Sequence, residues 1–298
     1  NKHYKHAVFS NNNQGYKAFL KWLEHYTISP WVCMEATWHY SEGLADFLME
    51  KGIRVSVVNP FQIKSFAKAT LTRNKNDILD AKIIAQFCQR MEPRLYQTSS
   101  AEQKELRELT KVLDMLKAQV TQLTNQLYSL RGHAAQNSVK KMIEKLEQEI
   151  KAIQQQIAEL INRNQQLKEK FELLLSIKGI GKLTAYHVLA RMPEVQRFQT
   201  AKQFAAYMGI TPKQHQSGSL TGKTTISRLG DSRLRKALYM AALVAKRYNK
   251  SLLPFVNKLQ TKGKTPKTII CAVMRKLAHI IFGVLKNKQA FNENLSCF

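Results

Sequence analysis

Leucine and isoleucine recur along residues 106–160 at alternating spacings of three and four, and this pattern limits what the chain can fold into more than any other feature. One series runs Leu106, Leu109, Leu113, Leu116, Val120, Leu123, Leu127 and Leu130; after RGHAAQN (131–137) a second runs Ile143, Leu146, Ile150, Ile153, Ile157 and Leu160. Such spacing puts the apolar side chains on one seam of a helix, and a seam that long needs another helix to cover it. An antiparallel helical hairpin, a coiled-coil arm over 98–170, is the simplest object that covers both. It serves either as an intramolecular spacer or as an arm through which copies of the chain associate.

The segments on either side differ in kind. YKHAVF (4–9) alternates like a strand, NNN (11–13) offers helix caps, and Tyr16, Phe19, Leu20 and Leu23 follow at helical spacing. PWVCMEAT (30–37) predicts a buried strand ending in a carboxylate, 42–51 a helix, RVSVVNP (54–60) a second buried strand closed by proline, and 77–90 a further helix. Alternating strands and helices predict an α/β layer with a partly parallel sheet over 1–97, with its site at the strand ends. Residues 171–298 read as all-α, broken at KGIGK (178–182), at QHQSGSLTGKTT (214–225) and at 263–266. The chain opens at Asn1 without a methionine and is expected to be a piece lacking its true beginning.

Lys plus Arg number 47 against 21 Asp plus Glu, a formal charge of +26. Residues 171–298 hold 22 of the basic residues and only four acids, Glu172, Glu194, Asp231 and Glu293, so +18 of that charge lies there. Solubility needs far less, and a polyanion is the expected partner. The basic residues are interleaved with Gln, Asn, Thr and Ser and no long apolar run accompanies them, which favours nucleic acid over a membrane surface. Cys33, Cys88, Cys271 and Cys297 lie far apart, suggesting neither a zinc site nor a disulfide framework. With no signal-peptide pattern, a reducing cytoplasm is expected.

Three constellations carry chemistry. In LLSIKGIGKLTAYHVL (174–189), Gly179 and Gly181 let the backbone turn tightly before a helix that opens with Lys182 and Thr184. Exposed amides and a helix N-terminus pointing one way make a phosphate cradle, as in a helix-hairpin-helix; a glycine turn between packed helices is the alternative. Glu35 ends a predicted strand, and Asp77 and Asp80 share one face near a helix start. Together they suit Mg²⁺ ions working on a phosphodiester, although Asp77 as a cap and Asp80 as a dipole contact would explain them equally well. GSLTGKT (218–224) imitates a nucleotide-binding P-loop but has three residues between its glycines where four are needed, and no strand before it. What remains is a basic loop or an exposed nucleophile, Ser217, among Lys213, Lys223 and Arg228. His215, too close in sequence to face Ser217, is discounted as its base, and His3 and His6 read as surface residues.

MEATWHYSEGLADFL, VSVVNPFQIKSFAKA, RNKNDILDAKIIAQFC, LLLSIKGIGKLTAYHVLARM, FQTAKQFAAYMGITPKQHQSGS and ISRLGDSRLRKALYMAALVA occur in order. Their order and spacing resemble the insertion-sequence transposases of the family numbered one hundred and ten, relatives of the Piv-type DNA invertases. The resemblance implies a RuvC-like, ribonuclease-H-fold domain over 1–97 lacking its first strand, the coiled-coil arm, and a helical transposase domain over 171–298. It places Glu35, Asp77 and Asp80 as three of four acidic ligands for Mg²⁺, the first acid lying upstream of the residues present. Ser217 falls on the serine that attacks DNA and holds a phosphoserine link; by their motif and charge, Gly179, Gly181, Lys182, Thr184, Lys213, Lys223, Arg228, Arg233 and Arg235 are expected to bind nucleic acid. Donor and target double-stranded DNA, a structured noncoding guide RNA and further copies of the chain, as a dimer or tetramer, are the implied partners, in a bacterial or archaeal cytoplasm. A metal-dependent nuclease without serine chemistry, or an inactive nucleic-acid-binding fragment, would carry the same charge.

Overall fold

A computed structural model describes residues 4–37, 39–72, 76–213, 216–217, 220–221, 225–227 and 229–293. They form two compact units that divide between Thr98 and Ser99.

The first unit contains α1 (Asn13–Tyr26), β1 (Trp31–Glu35), α2 (His39–Glu50), β2 (Arg54–Val58), α3 (Pro60–Ala69) and α4 (Asp77–Met91). The two strands are parallel, registered from Trp31 opposite Arg54 to Glu35 opposite Val58. Parallel strands bury both faces, so neither can alternate between apolar and polar residues. Val32, Met34, Val55 and Val57 pack with Phe19 and Leu20 of α1 and Ala45 and Leu48 of α2. Cys33 and Val58 pack with Ile63 and Phe66 of α3 and Ile83 and Phe87 of α4. Buried Ser56 is satisfied by accepting from Trp31 Nε1 at 3.0 Å and donating to the Pro93 carbonyl at 3.1 Å.

Two expectations for this unit need correction. YKHAVF forms no strand: β1 pairs only with β2 among the described residues, and residues 4–8 are exposed. Alternation marks two faces without supplying a neighbour to pair with; Phe9 instead packs its ring on Phe19 and Trp22 of α1, at centroid distances of 5.3 and 5.8 Å. Pro60, expected to close a strand, opens α3. Asn59 caps that helix by accepting from Phe61 N at 2.9 Å, and proline costs nothing in a first turn, where its missing N–H has no partner to lose.

The second unit begins with α5 (Ala101–Leu127) and α6 (His133–Arg163), which pack along the heptad seam as a helical hairpin. The seam is fully buried only near the hairpin's base, at Leu106, Leu113, Ile157 and Leu160. Farther out, Leu116, Val120, Leu123, Ile143, Leu146 and Ile150 are half-buried. The base shares one hydrophobic core with the helices that follow: α7 (Gln165–Leu175), α8 (Lys182–Arg191), α9 (Ala201–Tyr207), α10 (Ser232–Tyr248), α11 (Leu253–Thr261) and α12 (Pro266–Asn287). Four short strands, β3 (Pro212–Lys213), β4 (Gln216–Ser217), β5 (Leu220–Thr221) and β6 (Thr225–Ile226), lie between α9 and α10 in the chain.

Side chains from α5 tie the hairpin to α8. A helix leaves its last four carbonyls without intrahelical partners. Gln103 Nε2 donates to the Leu189 and Met192 carbonyls at 3.0 and 2.7 Å, and Arg107 Nε donates to that of Ala190 at 3.2 Å. By length and composition α12 is the one helix among the described residues that would cross a bilayer. It buries ten residues, from Ile269 to Val284, against α7, α9, α10 and α11, as a core helix does.

Candidate functional site

In the first unit, Glu35 ends β1 half-buried, at the carboxyl end of a parallel strand. Asp77 and Asp80 lie in the first turn of α4, whose cap is Asn76: its side chain accepts from Leu79 N at 2.8 Å. The two aspartates are therefore first-turn residues, where a negative charge suits the helix dipole, and Asp77 is not the cap. Although α4 packs against β1, the described residues contain no cluster of three or more His, Cys, Asp or Glu able to hold a metal ion. Glu35 instead opens onto a cleft of about 430 Å³ shared with Tyr16, Phe19, Tyr40, Ser41, Ala81 and Ile84. Asp80 stops one residue short of that lining.

The strands of the second unit form two separate antiparallel pairs: in one, Pro212 pairs with Ile226 and Lys213 with Thr225; in the other, Gln216 pairs with Thr221 and Ser217 with Leu220. Ser217 thus lies opposite Leu220 in the β4–β5 pair, and of GSLTGKT only Leu220 and Thr221 are among the described residues. His3, His215, Lys223 and Arg228 lie outside the described residues. Lys213 is exposed on β3, and Arg235 donates Nη1 to the Gly230 carbonyl at 3.3 Å.

The second unit also holds a buried charge network that the sequence reading missed. Ser227 N donates to the Thr211 carbonyl at 2.8 Å, and the chain then passes Gly230 into α10. Asp231 caps α10, accepting from Arg233 N and Leu234 N at 2.8 and 3.0 Å, and its other carboxylate oxygen lies 3.5 Å from Arg191 Nη1 on α8. One turn earlier on α8, His187 Nε2 pairs with Asp114 of α5 at 3.2 Å, while Tyr207 of α9 donates to the Arg191 carbonyl at 3.3 Å. Arg191 and His187 are almost fully buried. Arg191 Nε and Nη2 and His187 Nδ1 have no hydrogen-bond partner in this structure. Two cationic residue types four apart in an otherwise apolar helix, followed by Asp-Ser-Arg-Leu at a helix start, were the available signals.

Burial pushes the Asp114 carboxyl up, but the hydrogen bond and charge of His187, with the charges of Arg233 and Arg191, bring it below its usual range. A carboxyl depressed in the folded state adds stability above its unfolded value, and that stability is lost as pH falls through the folded value. Unfolding of the second unit should therefore steepen below about pH 4, and Asp114→Asn should flatten that acid limb in a pH series of thermal melts. An unchanged limb would show that other carboxylates set it.

The turn before α8 holds the remaining residues. Gly179 adopts φ +106, and a Cβ there would come within 2.6 Å of Ala245 Cβ. Gly181 and Lys182 are exposed at the start of α8, which has no side-chain cap. Thr184, expected to face nucleic acid, is buried; its hydroxyl lies 3.5 Å from the Ala237 carbonyl, so it joins α8 to α10.

A profile described as the transposase IS116/IS110/IS902 family matches residues 171–257, and a DEDD-type transposase profile matches residues 1–130. The pilin gene-inverting protein of Moraxella bovis is 33% identical over 98% of this chain and 92% of its own. The chain belongs to the IS110 family of transposases. The transposase for insertion sequence element IS1111A of Coxiella burnetii is 27% identical over 87% of this chain and 79% of its own. The corresponding IS1328 protein of Yersinia enterocolitica is 24% identical over 84% and 82%. This transposase is accordingly a DNA transposase/recombinase with DNA as its substrate, and its DEDD-type first unit suggests a divalent metal.

Proposed function

We propose that this transposase cuts and rejoins DNA through a covalent phosphoserine at Ser217. The serine oxygen forms the new bond to phosphorus, the P–O bond to one DNA strand breaks, and the departing hydroxyl takes up a proton. Attack by the hydroxyl of an exchanged strand reverses these changes and frees the serine. The observation that supports this reading is the position of Ser217 in the β4–β5 pair, within a segment whose other strand pair, β3–β6, is followed in the chain by the Asp231–Arg191 contact. A nucleophile needs a fixed position relative to its substrate to hold an attack geometry.

Glu35, Asp77 and Asp80 belong to this reading as donors for Mg²⁺, in a RuvC-like domain spanning 1–97. Carboxylate oxygens suit that ion, whose chemistry is to offset charge on phosphate oxygens. The three do not gather on one point in this structure, so no step is written through the metal. The basic residues of 171–298, including Lys213, Lys223, Arg228, Arg233 and Arg235, bind DNA and a structured guide RNA. The half-buried outer seam of α5 and α6 supports association into a dimer or tetramer through the arm at 98–170.

Denaturing gels of the chain incubated with element-end DNA, Mg²⁺ and the element's noncoding RNA test the serine. The wild type should give a protein–DNA adduct that a protease converts to a peptide-bearing strand, and Ser217→Ala should give none. Adducts persisting in Ser217→Ala would sink the assignment. Free cut ends without adduct in both proteins would move the chemistry to the carboxylates.

A further inference from the structure

The glycine turn before α8, with α8 itself, is packed against α10. Three contacts join them. Gly179 lies so close to α10 that a Cβ would meet Ala245 at 2.6 Å, buried Asn249 donates Nδ2 to the Lys178 carbonyl at 3.0 Å, and the Thr184 hydroxyl lies 3.5 Å from the Ala237 carbonyl. Small residues make this approach possible: Ala237, Ala241 and Ala245 are all buried along α10.

The helical period that turns those alanines inward puts Lys236, Met240, Val244, Arg247 and Tyr248 on the outer side of α10, and Lys182 is exposed at the start of α8, which packs against it. Met240, Val244 and Tyr248 are 57%, 46% and 62% exposed. Amphipathic helices normally give such positions to polar residues. Here an apolar and aromatic stripe at intervals of four is set among cations, and α10 contains no acidic residue in its 17.

That composition selects its occupant. A second copy laid face to face would bring cation against cation, which association avoids. Duplex phosphates would engage the lysines and arginines but leave the apolar stripe in water. An unpaired strand matches both, since its bases offer apolar faces to Tyr248, Met240 and Val244 while its phosphates meet Lys182, Lys236 and Arg247. Exchange of strands between duplexes also requires that strands leave their partners. We propose that this face docks an unpaired DNA strand. The inference rests on DNA being the substrate, and is independent of whether Ser217 is the nucleophile.

Fluorescence anisotropy of the full chain at one fixed salt concentration, with labelled oligodeoxythymidylate, oligouridylate and a DNA duplex of equal length, tests it. The Met240→Ala/Tyr248→Ala pair should weaken oligodeoxythymidylate binding by about tenfold or more while leaving the duplex affinity unchanged. Tyr248→Phe, which keeps the ring, should bind as the wild type does. Ultraviolet cross-linking of wild-type protein to a 4-thiothymidine strand should label peptides of α10, a readout that does not depend on any variant folding. Unchanged single-strand binding, an equal loss for duplex, or cross-links confined to other helices would overturn the proposal. A loss confined to oligouridylate would assign the face to RNA, and a variant altered only in self-association would assign it to a second copy; either result also overturns it. Adduct formation scores Ser217 separately.

Discussion

Asp231→Ala should destabilise the second unit by about 3 kcal/mol, the cost typical of stranding one partner of a buried ion pair together with the loss of a helix cap. Asp231 has two tasks at once. One carboxylate oxygen accepts from Arg233 N and Leu234 N at the start of α10, and the other lies 3.5 Å from Arg191 Nη1. Burial already pushes the Arg191 guanidinium below its usual range, with Asp231 opposing that shift. Removing Asp231 leaves a buried cation whose Nε and Nη2 are themselves without partners. The reverse change behaves differently. Arg191→Met removes the costly charge and refills its volume, while the half-exposed Asp231 keeps its cap and can hydrate, so Arg191→Met should be close to neutral. In Arg191→Met/Asp231→Ser the serine still caps and no charge is stranded, so most of the lost stability should return. Denaturant melts of the wild type, Asp231→Ala, Arg191→Met and Arg191→Met/Asp231→Ala form a double-mutant cycle, with the serine double variant melted beside them. Equal losses for Asp231→Ala in the wild-type and Arg191→Met backgrounds would show that the ion pair contributes nothing and the cap everything.

What the sequence made legible follows the range of the interactions involved. The heptad seam, β1, β2 and α4 were readable because spacing and local chemistry determine them, although the cap of α4 is Asn76, one residue before the Asp77 that the sequence suggested. YKHAVF misled because a strand exists only beside another strand, and alternation cannot say whether one is there. The start of α3 was readable in principle from Asn59–Pro60, but a proline that follows a strand can also open the next helix. The network of Asp114, His187, Arg191 and Asp231 was hidden for a different reason. Its members come from three helices, with 117 positions from first to last, and a buried charge pair leaves no periodic trace. Thr184 reads as a polar residue opening a helix near phosphate, and only packing against α10 shows that its hydroxyl is used within the protein. Ser217 stood out by composition alone as one polar residue among several, and the whole-chain resemblance singled it out.

Gly230→Ala should cost about 3 kcal/mol or more and, on the proposal that Ser217 is the nucleophile, abolish adduct formation before it unfolds the unit. Gly230 has φ +149, and a Cβ there would fall 2.4 Å from the Tyr207 carbonyl oxygen and 2.5 Å from Gly209 N. Both obstacles are backbone atoms at the end of α9, so no side chain can turn aside to make room. Gly209 has its own positive φ of +69 and lies against the Leu229 carbonyl, so the segments entering and leaving the two strand pairs cross where neither tolerates a side chain. Pushing them apart would strain the Ser227–Thr211 hydrogen bond and shift the cap at Asp231, the two features that tie the strand pairs to the helices. Gly263→Ala is the natural control. It also has a positive φ, +64, but open space around the added methyl, so it should cost only about 1 kcal/mol for the left-handed backbone. Hydrogen exchange should separate the two variants, with faster exchange in Gly230→Ala confined to peptides spanning 208–231 and adduct formation at Ser217 lost at temperatures where the far-ultraviolet signal is still that of the wild type. Equal stability and equal exchange for the two variants would mean that the crossing is not what holds the strand pairs in place.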